Sequence, residues 1–100
     1  MNVSKNNLRF EYLYRDSGNY KQFGQIILSN PNNIGAEKAT EKIREKLIDG
    51  EFFYPLEVGV PQFNVFDFDL EKDWYEFIKF SSTEENPSEV INAKNFIAKF

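Results

Sequence analysis

The amino-acid sequence predicts an α+β domain: a four-stranded, mainly antiparallel sheet with two helices on one face, in the order ββαββα. Three observations carry that expectation. Apolar and polar residues alternate in separate stretches, the mark of half-buried strands. An apolar stripe at helical spacing follows the first two strands. A second stripe, preceded by a capping pattern, closes the chain. One hundred residues fit one domain, divided as 1–7 flexible N-terminus, 8–85 ββαββ unit and 86–100 C-terminal helix.

Leu8, Phe10, Tyr12 and Tyr14 alternate with Arg9, Glu11, Leu13 and Arg15, which defines the first strand. Asp16-Ser17-Gly18-Asn19 reads as a turn. Phe23–Ser29, with Ile26-Ile27-Leu28, is the second strand and completes a hairpin. Asn30-Pro31-Asn32-Asn33 ends it. A helix is expected over 34–48, with Asn33 as N-cap, Ala36, Ala39, Ile43 and Leu47 as its apolar stripe, and Gly50 as its C′ stop. Its polar side carries a lysine row, Lys38, Lys42 and Lys46, beside a glutamate row, Glu37, Glu41 and Glu45. Residues 51–62, broken by Pro55, Gly59 and Pro61, read as an ordered loop pinned by Phe52, Phe53 and Leu56. Phe63–Leu70 alternates again as a third strand, Glu71-Lys72-Asp73 is a turn, and Trp74–Ser82 is a fourth strand, giving a second hairpin. Asn86 as N-cap, Pro87 at N1 and Glu89 at N3 open the last helix, whose stripe is Val90, Ala93, Ile97 and Phe100, widened by Phe96.

The chain has no histidine and no cysteine. That removes the usual neutral-pH base, the thiolate nucleophile, disulfides and soft-metal ligands. The inventory speaks against an enzyme, and neither a cofactor nor a metal site is expected. Eleven Phe, five Tyr and one Trp exceed what a small core needs, so some rings are available for contacts. The net charge of −4 is uneven: residues 1–50 carry +2 and residues 51–100 carry −6. An acidic balance argues against duplex nucleic acid. The acidic half suits a protein partner with a basic surface. No apolar run approaches a membrane span and no secretory signal is visible, so a cytoplasmic location is expected. Abundant Asn, Lys, Ile and Phe suggest an AT-rich bacterial or phage genome.

Four constellations bear on chemistry. The run Asp67-Phe68-Asp69-Leu70-Glu71-Lys72-Asp73 resembles a calcium loop, but an EF-hand counted from Asp67 would need Gly and Glu where Lys72 and Ile78 stand. A solvated acidic hairpin end is the simpler account. Glu76 and Lys79 echo a metal-dependent nuclease, but their spacing puts them on opposite faces of a regular strand. The segment Tyr14–Lys21 offers a guanidinium, an ammonium, phenols, a carboxylate and an amide within one loop, a common binding arrangement, and reads equally as a turn whose Asp16 and Asn19 bond their own backbone while Arg15 pairs with a neighbouring acid. Ser17 within it has no base to activate it. Finally, Phe10, Tyr12, Tyr14, Trp74 and Phe80 could stack bases, yet no RNP-type pattern accompanies them and core packing explains them better.

At YRDSGNYK (14–21), IDGEFFYP (48–55), GVP (59–61) and WYEF (74–77) the chain resembles a group of small bacterial proteins of about its own length. The resemblance covers most of residues 8–80. It implies a single stand-alone domain and carries no activity, cofactor or catalytic residue with it.

The function expected from the sequence is a small non-enzymatic protein-binding module, acting by protein–protein contact as a regulator, immunity-type or anti-defence factor. The partner-binding candidates are Arg15, Asp16, Tyr20, Lys21 and Trp74, with the acidic residues Asp67, Asp69 and Asp73. The alternative is a nucleotide-phosphate or small-ligand binder, or a weak hydrolase, using Arg15, Lys21 and the helix lysines. Self-association needs only an apolar edge and is the third class.

Overall fold

The computed structural model describes residues 6–15, 21–60 and 75–100. The chain is α+β. Four antiparallel strands form one sheet in the order β2-β1-β4-β3. The elements run β1 (Asn7–Arg15), β2 (Lys21–Leu28), α1 (Ala36–Arg44), β3 (Phe52–Phe53), α2 (Pro55–Val58), β4 (Tyr75–Thr83) and α3 (Ala93–Ile97).

The alternation in β1 sorts its side chains as expected. Leu8, Phe10, Tyr12 and Tyr14 are buried, and they join Ile26 and Leu28 of β2 in one core cluster. Ala39, Ile43 and Leu47, three of the four stripe positions of the first helical region, enter the same cluster, as do Ala93, Phe96 and Ile97 of α3. Phe10 is the hub. Its ring meets those of Tyr12, Phe53, Phe77, Phe80, Phe96 and Phe100 at centroid distances of 4.9 to 6.0 Å. Aromatic contacts in these tilted, edge-on and stacked geometries add to the area they bury.

Several expected boundaries move, each for a physical reason. Helix α1 starts later than Asn33 implies, with Gly35 as N-cap. The Asn33 side chain instead accepts from Asn6 Nδ2 at 2.8 Å, and its backbone takes φ 53°. Asn6 is thus tied down and β1 begins at Asn7, inside the stretch expected to be flexible. The helix also ends early, at Arg44. Gly50 is not its stop: Asp49 and Gly50 both have positive φ, and Glu51 N–H donates to Ile48 C=O at 3.0 Å. That is the geometry an Asp-Gly pair provides between paired chain segments, here bridged at Ile48 and Phe52. The expected loop over 51–62 holds a short strand and a helical turn, with Pro55 at the start of α2 and Gly59 closing it at φ 73°.

The last helix is the largest correction. It begins at Asn92, whose side chain accepts from Asn95 N–H at 2.8 Å, not at Asn86. Residues before it are spent on β2. Ser88 N–H donates to Ile27 C=O and Ile27 N–H to Ser88 Oγ, both at 2.9 Å, and Ala93 N–H donates to Ser29 C=O at 2.8 Å. Pairing a strand edge outweighs a local capping pattern. Val90, expected in the stripe, is fully exposed at 106%. The third strand expected over 63–70, its turn and the second hairpin lie outside the described residues.

Strand β4 runs nearly as expected but contains a bulge. Glu11 faces Lys79 and Tyr12 faces Phe77, leaving Ile78 without a partner on β1. The bulge lets Tyr75, Phe77 and Phe80 all reach the core, though their numbers do not alternate. Arg44 Nη2 donates to the Ile78 carbonyl at 3.1 Å and Arg44 Nη1 to Gly50 C=O at 2.8 Å, with the guanidinium 5.0 Å from the Phe77 ring centre. Thr40 Oγ1 accepts from Phe80 N–H at 3.1 Å, and Glu51 C=O accepts from Phe77 N–H at 2.7 Å. Together these close the far edge of β4 from Phe77 to Phe80.

Candidate functional site

The face of the sheet opposite the core cluster is built by the odd-numbered residues of β1 and β2. Across it, Ile27–Arg9–Ser81, Gln25–Glu11–Lys79 and Phe23–Leu13–Glu76–Phe52 stand in register, with Lys21 beside Arg15 at the end. Ile27 and Leu13 are buried, whereas Phe23 is 66% exposed.

Of the residues singled out in the sequence, the structure brings Arg15 and Lys21 together. They face each other across β1 and β2. Two cations in a cross-strand pair repel, and Arg15 is compensated: its Nε donates to Glu76 Oε2 at 3.1 Å. Lys21 is exposed and makes no ion pair among the described residues. Asp16, Tyr20, Trp74, Asp67, Asp69 and Asp73 lie outside the described residues.

The helix lysines do not converge on this pair. Their helix packs Ala39 and Ile43 against the core side of the sheet, and Arg15 is on the other side. Lys46 lies past the end of α1 and donates to Ile97 C=O at 3.4 Å, near the C-terminus of α3, where a cation is favoured.

The bulge changes one sequence argument. Glu76 and Lys79 are three apart, yet both face outward, opposite Leu13 and Glu11 respectively. Their surroundings are those of an ordinary wet sheet: Glu76 accepts from Arg15, and Glu11 Oε2 accepts from Ser81 Oγ at 3.1 Å. Among the described residues no group of three or more carboxylates is placed to hold a metal ion. The rings considered for base stacking, Phe10, Tyr12, Tyr14 and Phe80, are all buried in the core, and Trp74 lies outside the described residues.

Two polar arrangements, one on this face and one on the core side, have no signal in the sequence. Arg9 Nη2 donates to Glu85 Oε2 at 2.7 Å and to Thr83 Oγ1 at 3.3 Å, while its Nε is buried without a hydrogen-bond partner among the described residues. The bond from Arg9 is the main cause that holds the Glu85 carboxyl below its usual pKa, and the same bond raises Arg9. On the core side, burial pushes the Tyr12 phenol up to about 12, with smaller contributions from Tyr75 and Glu89. Both depend on chain segments far apart in sequence, which no local pattern joins.

No helix among the described residues is long and apolar enough to cross a membrane. No family model, curated protein or solved structure matches the chain.

Proposed function

We propose that the chain is a non-enzymatic protein-binding module in which the two longer helices of a ββαββα unit cover one sheet face and leave the other for a partner. One observation carries this reading: the face that no helix of the described residues covers combines exposed Phe23 with Lys21 and the Arg15–Glu76 pair at one end of the β1–β2 pairing. Mixed aromatic and guanidinium groups are what interface centres favour. Asp16, Tyr20 and Trp74 belong to the same proposed binding set by their place in the sequence, and Asp67, Asp69 and Asp73 would meet a basic partner surface. A role as a regulator, immunity-type or anti-defence factor of bacterial or phage origin, in the cytoplasm, is the corresponding biology. The resemblance to small bacterial proteins fits a stand-alone module.

The test is affinity capture from host lysate with the wild-type chain beside an Arg15→Ala, Tyr20→Ala double variant. The expected result is one stoichiometric protein lost in the variant while the melting temperature changes little, since an exposed ion pair is worth only ~0–1 kcal/mol. Recovery of a nucleotide in place of a protein would replace this reading by the phosphate-binding one.

A further inference from the structure

Among the described residues the far edge of β2 is closed along only part of its length. Ile27 and Ser29 bond to Ser88 and Ala93. In an antiparallel pair, alternate residues aim both main-chain groups to the same side. The pairing of β1 with β2 runs without a register break from Leu8↔Leu28 to Arg15↔Lys21. The N–H and C=O groups of Gln25, Phe23 and Lys21 therefore point the same way as those of Ile27. Among the described residues nothing bonds to them. No proline or bulge blunts this stretch, and Lys21 is its sole charge. Open edges of this kind are templates for further strand pairing.

We propose that this edge pairs with the same edge of a second copy, antiparallel about a two-fold axis at Phe23. Among the described residues the free stretch runs from Lys21 up to the Ser88 contact at Ile27, and Phe23 is the midpoint of Lys21 to Gln25. The Phe23-centred register pairs the whole described free stretch of both copies, and a two-fold makes the contact self-complementary. In that register Phe23, which is 66% exposed, meets its own copy. Lys21 faces the neutral Gln25, so no like charges oppose. Gln22 faces Gly24, over which the Tyr12 ring of the same copy lies. Beyond Gln25 lie Ser88 and its neighbour Glu89, so the basic end of one copy, Lys21 beside Arg15, approaches an acidic segment of the other. The occupant of this edge is a second copy of the chain, independent of the partner sought through Arg15 and Tyr20.

Sedimentation velocity from micromolar to millimolar concentration tests the proposal. The expected mass rises with concentration from one chain to twice that value. Phe23→Lys sets two ammonium groups across the axis, and Gln25→Pro deletes an outward N–H without removing a bond to β1. Both variants are expected to stay at one chain while keeping the wild-type circular dichroism. The chain has no cysteine, so Phe23→Cys gives a register test. Facing Cα atoms in a hydrogen-bonded pair are ~5.5 Å apart, within disulfide reach. Mild oxidation should link Phe23→Cys into a covalent dimer, and the exposed control Val90→Cys should remain largely unlinked. A wild-type mass of one chain at all concentrations overturns the proposal, as does a dimer that survives Phe23→Lys. Neither outcome affects the lysate capture, which is read through Arg15 and Tyr20.

Discussion

The Tyr12 ring lies across Gly24, its neighbour in the β1–β2 register: a methyl group on Gly24 would stand 2.7 Å from Tyr12 Cε2 and Cζ and 2.8 Å from its hydroxyl. The ring cannot easily swing aside, because it stacks on Tyr75 at 5.8 Å and 7° and is 3% exposed. A glycine in a strand interior, normally a weakness, here marks a close approach. Gly24→Ala should lower stability by ~1–3 kcal/mol through overpacking. Thermal melting should show it as a drop of about 4–8 °C for each kcal/mol. An unchanged midpoint would mean that the ring has another place to go.

The same ring sets an alkaline limit. Burial raises the Tyr12 phenol to about 12 in the folded chain, whereas the unfolded chain ionises it near ~10. Between those values the folded state holds the extra proton, so stability is complete below the lower one and declines as pH rises toward the upper. Tyr12→Phe should flatten that decline. Urea midpoints measured across the alkaline range for both proteins check it.

Phe10 and Val90 mark the two extremes of the apolar inventory. Phe10 is fully buried among six rings and Val90 is fully exposed. Phe10→Ala should cost ~3–5 kcal/mol, a large part of the ~5–15 kcal/mol typical of a whole domain. Val90→Ser should change the midpoint little. Chemical denaturation of the two variants separates the cases, and Phe10→Leu serves if Phe10→Ala does not fold.

Arg44 joins the end of α1 to the Asp49-Gly50 turn and to β4 through two carbonyls and the Phe77 ring. Lysine keeps the charge but loses the planar fork. Arg44→Lys should destabilise by on the order of 1–2 kcal/mol, since hydrogen bonds from charged donors are the stronger ones. Hydrogen exchange at Ile78 and Phe80 should rise more than at Phe10, because the anchor is local to the bulge.

The Arg9–Glu85 pair predicts an acid response. The folded chain holds the Glu85 carboxyl low, so its contribution is present above the ordinary carboxylate range and lost as pH falls through the folded value. The melting temperature of wild type should exceed that of Glu85→Gln near neutrality by a small margin. The margin should shrink with added salt and close in strong acid.

Much of the fold is legible because it is locally written. The alternation of Leu8 to Arg15 fixes which side of β1 is buried, and the Ala39, Ile43 and Leu47 stripe fixes the buried side of the first helical region. What local pattern does not hold is competition between distant segments. Asn86-Pro87 and Glu89 look like a helix start, but Ile27 needed partners and Ser88 supplied them. Asn33 looks like a cap, but Asn6 claims its side chain. The same limit applies to the candidate site. The Arg15 and Lys21 juxtaposition follows from the hairpin, whereas Glu76 reaches Arg15 only because β4 lies beside β1 in one register.

Ile78 gives that register an arithmetic. On one side of it inward positions are odd, at Tyr75 and Phe77; on the other side Phe80 is inward and Ser81 outward. The strand is two phases joined at one residue, and the joint is latched from outside by Arg44. Removing Ile78 alone would merge the two phases into plain alternation, with Phe77 and Phe80 still inward and Lys79 and Ser81 still outward, and would take away the carbonyl that Arg44 holds. Ile78 is therefore an inserted residue that the pattern of inside and outside does not need, and what it adds is an outward carbonyl for Arg44.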